Sequence, residues 1–284
     1  MVVFHHSARR LLLLVWSTVS LAHHAQAQLL TTSGVDITVG TGVAVTVEGA
    51  VQLNAASTIT NQGELRVQGD WTNNTGNTGL TASSNGTVHL FGSAPQGIAG
   101  SSITDFRHLR LTGGIKQLLQ NAVVGLPGQP DGTLELGSGC ALLLENQTFT
   151  VFDPLGTAVV DNGGWVASES LNSRFQWALG NDVTEHRVPF GAAAGPAFPF
   201  AFTPAAPFPA NTLLSIATYA TAPDNTVYPL TANQQVLHMA GTTNADNSAN
   251  TVDRFWLVDL PDGTFNGTLL LSHSAADDPQ FGPG

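Results

Sequence analysis

The chain has 284 residues, 20 acidic against nine basic, and a formal net charge of −11. Two of the basic residues fall in the first ten, so the basic footprint that nucleic acid or anionic lipid requires is missing from the rest. A single cysteine, Cys140, excludes an intramolecular disulfide and any cysteine-built metal or redox centre.

The N-terminus reads as an address. Arg9 and Arg10 precede an apolar run from Leu11 to Val15 that extends to Ala22. Ala25-Gln26-Ala27 then fits the small-x-small cleavage rule, so residues 1–27 read as a signal peptide cut before Gln28. The run falls short of the ~20 apolar residues that span a bilayer. No later stretch is long and apolar enough, so no membrane insertion is expected after cleavage.

From residue 40 to 71 short Val, Leu, Ile and Thr runs alternate with polar residues and close on Gly, Asn or Ser. Val43, Val45 and Val47 are expected on one strand face, with Ala44, Thr46 and Glu48 on the other. Val51 with Leu53, and Leu65 with Val67, repeat the pattern. Such runs read as rungs of a β-solenoid, each too small to bury its own apolar face. A polar loop is expected over 72–79. Strands resume at 87–91, 96–100 and 106–111.

Two segment pairs suggest an internal repeat of about 100 residues. Ile37-Thr38-Val39-Gly40-Thr41-Gly42-Val43 matches Leu134-Glu135-Leu136-Gly137-Ser138-Gly139-Cys140, and Asn61-Gln62-Gly63-Glu64-Leu65 echoes Asn162-Gly163-Gly164-Trp165-Val166. Cys140 continues into Ala141-Leu142-Leu143-Leu144 and reads as a small buried apolar residue.

Aromatics and prolines gather from 175 to 209, which is unlike a regular solenoid because proline is confined to strand edges and turns. Further strands are expected at 212–219, 255–258 and 267–272. The expected architecture is all-β. A right-handed parallel β-helix or solenoid over 28–170 is followed by an antiparallel β-sandwich-like domain over 171–284, incomplete at its C-terminus. Too few strands follow Pro261 to cover a sandwich, so Gly284 is not expected to be the natural end.

The order of several motifs resembles that of large secreted cell-surface proteins of Bacteroidota-type bacteria exported by the type IX secretion system. They are Gly63-Glu64-Leu65-Arg66-Val67-Gln68-Gly69-Asp70-Trp71-Thr72-Asn73, the stretch from Val88 to Gly100, Phe106-Arg107-His108-Leu109, Trp177 to Gly180, Pro189-Phe190-Gly191 and Arg254-Phe255-Trp256. The resemblance implies solenoid rungs, secretion to the outer cell surface and architectural rather than catalytic motifs. It also implies a terminal sorting domain, and no segment here resembles one.

Chemistry is sparse. His89, His108, His186, His238 and His273 show neither H-x-H nor H-E-x-x-H spacing and read as solvent-facing or satisfied histidines. Nucleophile-elbow, dinucleotide and phosphate-loop motifs are missing. Asp182 with Glu185-His186-Arg187 could supply an acid/base pair but follows Gly180-Asn181, so a solvated turn is expected. The oxygen-rich stretch 244–253 lacks calcium-loop spacing. Asp246, Asp253, Asp277 and Asp278 are therefore expected to be dispensable for folding.

No catalytic, cofactor-binding or metal-ligating residue is assigned. The expected function is a secreted or surface-displayed, non-catalytic structural or adhesion protein whose partners are glycans or surface proteins. The alternative is a β-helix polysaccharide lyase or glycoside hydrolase. Between residues 35 and 67, however, only Asp36, Glu48 and Glu64 are acidic, and a glycosidase needs two facing carboxylates.

Overall fold

The computed structural model describes residues 10–11, 24–27, 29–127, 131–170, 172–193, 195, 197–221, 252–261 and 264–277. Strands β1 (Arg10–Leu11) and β2 (His24–Ala27) come first, then β3 (Leu30–Thr32) and β4 (Asp36–Val39). The next turn holds β5 (Ala44–Val47), β6 (Val51–Leu53) and β7 (Thr58–Asn61). Then come β8 (Glu64–Val67) and β9 (Trp71–Asn73), followed by β10 (Thr87–Leu90), β11 (Gln96–Gly100) and β12 (Thr104–Asp105). Two more turns are β13 (His108–Leu111), β14 (Ile115–Leu118), β15 (Ala122–Val124), and β16 (Thr133–Gly137), β17 (Ala141–Leu143), β18 (Thr148–Val151). The last holds β19 (Val159–Asn162), β20 (Trp165–Ala167) and β21 (Arg174–Leu179).

Strands one turn apart pair in parallel, which makes a three-faced β-solenoid. The first face runs β2-β5-β8-β10-β13-β16-β19, and the second β3-β6-β9-β11-β14-β17-β20. The third begins with β1-β4-β7 and, after residue 80, is carried by β12-β15-β18-β21. Arg10–Leu11 and His24–Ala27 thus pair with β4 and β5 although they lie in the segment read as a leader.

Alternation decides which side chains enter the core. On the first face Val45, Leu65, Val88, Leu109, Leu134 and Val159 stack in register, beside Val47, Val67, Leu90, Leu111 and Leu136. On the second face Val51, Trp71, Ile98 and Leu118 stack. On the third, Ala122, Phe149 and Phe175 stand beside Val124, Val151 and Trp177. Nearly all are fully buried. Trp71 meets Phe106 at 5.2 Å, and its indole nitrogen donates to Thr104 Oγ1 at 3.1 Å. Corners demand glycine where turns touch. A Cβ at Gly100, at φ +126°, would collide with the Asn73 carbonyl.

The repeat of about 100 residues is corrected. Ile37 lies on the third face and Leu134 on the first; Leu65 lies on the first and Val166 on the second. The true repeat is one turn, as in Ala44 over Glu64 and Glu64 over Thr87. Matching glycine corners had linked different faces. Val43 itself precedes its strand; Val45 and Val47 carry the inward face.

Five antiparallel strands close the end: β22 (His186–Val188), β23 (Phe200–Pro204), β24 (Thr212–Ala220), β25 (Arg254–Asp259) and β26 (Gly267–Leu271). β21 pairs in parallel with β18 and antiparallel with β24, so the third face continues without a break into the antiparallel sheet. The boundary expected at 170 falls between β20 and β21, immediately before the strand that belongs to both sheets. β22-β23-β26 forms a second sheet, facing the first through Trp256, whose ring lies 5.9 Å from Phe200. Its edge strand leaves Leu269, Leu270 and Leu271 exposed. Among the described residues the one helical element is a 3-10 turn, Ala275–Asp277.

Trp71→Ala empties the widest side chain of its turn and strands the Thr104 hydroxyl. It is expected to cost about 3–5 kcal/mol, read as a fall in the urea midpoint.

Candidate functional site

What faces inward on the first face leaves a complementary set facing outward. Its central column is Thr46, Arg66, His89, Arg110, Glu135 and Val160. On one side lie Ala44, Glu64, Thr87, His108 and Thr133. On the other lie Glu48, Gln68, Phe91 and Thr112, whose pairing continues through Gln68 N to Val47 O, Phe91 N to Val67 O and Thr112 N to Leu90 O.

The upper part of this strip is a network. Arg110 Nε donates to Glu135 Oε2 at 2.6 Å, and its Nη1 lies 4.0 Å from Glu64 Oε1. Glu135 Oε1 accepts from Asn162 Nδ2 at 3.0 Å. His89 Nδ1 lies 3.4 Å from Glu64, and its Nε2 lies 2.8 Å from the Thr112 hydroxyl. Burial holds the His89 pKa below its ordinary value, Glu64 opposes this, and Arg110 and Arg66 reinforce it. His89 is thus neutral at pH 7. Arg66 differs from Arg110. Its guanidinium stands 5.1 Å from the Phe91 ring centroid, and it makes no hydrogen bond or ion pair to any described residue. Its Nε is buried without a partner.

A second cluster sits at the corner between the third and first faces. Arg107 is 3% exposed and adopts φ +61°, a left-handed conformation rare for a side chain of its size. Its amide donates to Asp105 Oδ1 at 3.0 Å, its Nε to the Ser84 carbonyl at 3.1 Å, and its Nη2 to Asp131 at 2.6 Å. Asp105 is buried, and burial pushes its carboxyl up to about 6 against the opposing pull of Arg107. His108, beside it in sequence, is held below its ordinary value by burial and Arg107, with Asp131 opposing.

Other singled-out residues fall elsewhere. Cys140 is fully buried, as expected, and burial pushes its thiol up to about 11. Lys116 is also fully buried and donates from Nζ to the Gly92 carbonyl at 2.8 Å. Alternation held the signal, since Lys116 shares the inward face with Leu118. Burial depresses the Lys116 pKa. The turn after Gly180 is only partly solvated. Glu185 and Arg187 are exposed, but His186 is fully buried, with Nε2 2.8 Å from the Pro154 carbonyl. Asp182 holds the turn by accepting from Gly156 N and Thr184. A shallow cavity of about 270 Å³ adjoins it, lined by Phe152, Leu155, Leu179, Asn181 and Asn211.

Residues 244–251, with His238 and Asp278, lie outside the described residues. Asp277, expected to be dispensable for folding, is engaged in an ion pair. It accepts from Arg254 Nε at 2.7 Å, while Arg254 Nη1 donates to Glu169 at 2.9 Å, and the guanidinium sits 4.0 Å from the Phe198 ring centroid. Arg254 thereby ties β25 to the last solenoid turn. Among the described residues no three potential metal ligands converge.

This geometry defines a parallel β-solenoid protein with a mixed polar and aromatic outer strip. No family profile, curated protein or solved structure matches the chain.

Arg254→Ala leaves Asp277 and Glu169 without their cation and is expected to cost about 3–5 kcal/mol by denaturant unfolding. The Asp105 carboxyl binds its proton more tightly folded than unfolded, since burial raises its pKa from 3.8 to about 6. Its contribution to stability therefore falls as pH rises through that window. Asp105→Asn should flatten this part of the stability profile, which unfolding midpoints from about pH 4 to about pH 7 would read.

Proposed function

We propose that this chain is a secreted or surface-displayed, non-catalytic structural protein whose solenoid faces serve adhesion. The observation that carries the reading is the outer strip of the first face. It repeats over successive turns, with Phe91 beside Arg66, His89 and Gln68 and with Glu64 and Arg110 further across it, side chains suited to glycan or protein contact rather than to enclosing a small substrate. The leader-like N-terminus supports secretion. The motifs that resemble type IX surface proteins supply core and corner residues, among them Trp71, Phe106, Trp177 and Phe190. That placement agrees with an architectural role for those residues.

A polysaccharide lyase or glycoside hydrolase is the second reading, and one observation favours it. Asp105, raised to about 6, and Asp131 flank the Arg107 side chain, and glycosidases use two carboxyl groups of unlike pKa. Against it, the Asp105 side chain is only 3% exposed, so substrate would not reach it without movement of the corner.

Purified protein should be retained on immobilised glycans or cell-wall material and release no sugar from them. Liberation of reducing or unsaturated sugars, abolished by Asp131→Asn, would transfer the assignment to the enzyme.

A further inference from the structure

We infer that the strip around Phe91 binds a glycan containing uronic acid, with Arg66 taking the sugar carboxylate. This rests on the adhesive reading and names its ligand class.

Three observations converge. First, Arg66 and Arg110 are two outward guanidiniums of one column, but only Arg110 is committed to carboxylates, Glu135 and Glu64. Arg66 has no ion pair among the described residues, and its side chain stands half-exposed on the strip. A charge so placed gains from an anionic ligand, and a guanidinium fork matches a carboxylate in two parallel hydrogen bonds. Second, the Arg66 guanidinium stands over the half-buried Phe91 ring at 5.1 Å. Carboxylate receptor and aromatic platform are therefore adjacent, and an aromatic face takes the apolar face of a sugar ring as it takes other apolar surface. Third, hydrogen-bonding groups surround the pair. Gln68 is exposed beside Phe91, Glu64 and His89 stand on the neighbouring column positions, and Thr112, Glu135 and Asn162 continue further up.

The charge balance selects the class. Glu48, Glu64 and Glu135 accompany Arg66 and Arg110 on this face, and the whole chain carries −11. A densely sulfated chain would meet more repulsion than attraction. One carboxylate per sugar, separated by hydroxyls, fits one uncommitted guanidinium. The Debye length of about 8 Å at physiological salt keeps distant acidic residues from cancelling that local contact. The strip's columns advance ~4.8 Å per turn along the solenoid axis, so an extended glycan lies along that axis.

Calorimetric titration of the purified full chain tests this, with oligogalacturonate and oligomannuronate as probes and cello-oligosaccharide and dextran sulfate as comparators. At least one uronate oligomer should bind at least tenfold more tightly than either comparator. Arg66→Ala should weaken that binding at least tenfold and Arg66→Lys less, while Phe91→Ala should also weaken it; unchanged circular dichroism and urea midpoints establish that the variants fold. Equal affinity of wild type and Arg66→Ala for the uronates, or equal affinity of wild type for cello-oligosaccharide, overturns the inference. Retention on neutral glycans with no uronate binding overturns it too but leaves the adhesive reading standing. Release of sugar from the probes overturns the adhesive reading itself.

Discussion

Leu65 lies between Val45 and Val88, and Val67 between Val47 and Leu90. Neither side chain can leave water unless the turn below and the turn above place an apolar residue in the same column. Each buried CH₂ is worth about 0.8 kcal/mol, and a single turn has too few to offset the ordering of its own backbone. Stability therefore comes only from stacking in register. Main-chain hydrogen bonds between turns fix that register, and a slip of one residue would turn every inward valine or leucine outward.

The same constraint explains the polar interior at the corners. Where the chain bends from one face to the next, its carbonyls and amides leave the ladder and need other partners. Asn61 and Asn73 are fully buried and supply them: Asn61 donates to the Thr87 carbonyl, and Asn73 donates to Asn77 and Ile103 and accepts from Thr75. Gln96 bridges three backbone groups of its corner, Gly92 N, Val67 O and Gly69 O, and Lys116 holds the Gly92 carbonyl. With interior and corners occupied in this way, the outward columns are left with the polar and charged side chains that packing does not use.

A stack must also end. The last solenoid turn passes its third-face strand, Arg174–Leu179, to an antiparallel partner, so its edge is paired rather than open. The core changes with it, from valine and leucine to Phe149, Phe175, Trp177, Phe190 and Phe200. Ring contacts run from Phe175 through Phe190 and Trp256 to Phe200, and so join the end of the solenoid to the sheet that folds over it. Arg254 fastens that cover through Glu169 on one side and Asp277 on the other.

Alternation in Val51-Gln52-Leu53 and Glu64-Leu65-Arg66-Val67 suffices to read strands, inward faces and an all-β solenoid, because period two is a property of the local chain. It even marks Lys116, two residues before Leu118, as inward. Which strands share a face is not local. Val39-Gly40-Thr41-Gly42 and Leu136-Gly137-Ser138-Gly139 make alike corners between different faces, so sequence likeness misplaced the repeat. The strip was hidden for the same reason: Arg66, His89, Arg110 and Glu135 are scattered along the chain, and only the register of four turns stacks them into one column. The sequence by itself determined the strands and their apolar sides. The tertiary structure alone decided which turn lies on which, and with it that Arg110 meets two carboxylates while Arg66 meets the Phe91 ring and, among the described residues, no carboxylate, because contacts across turns depend on spacing that no local pattern encodes.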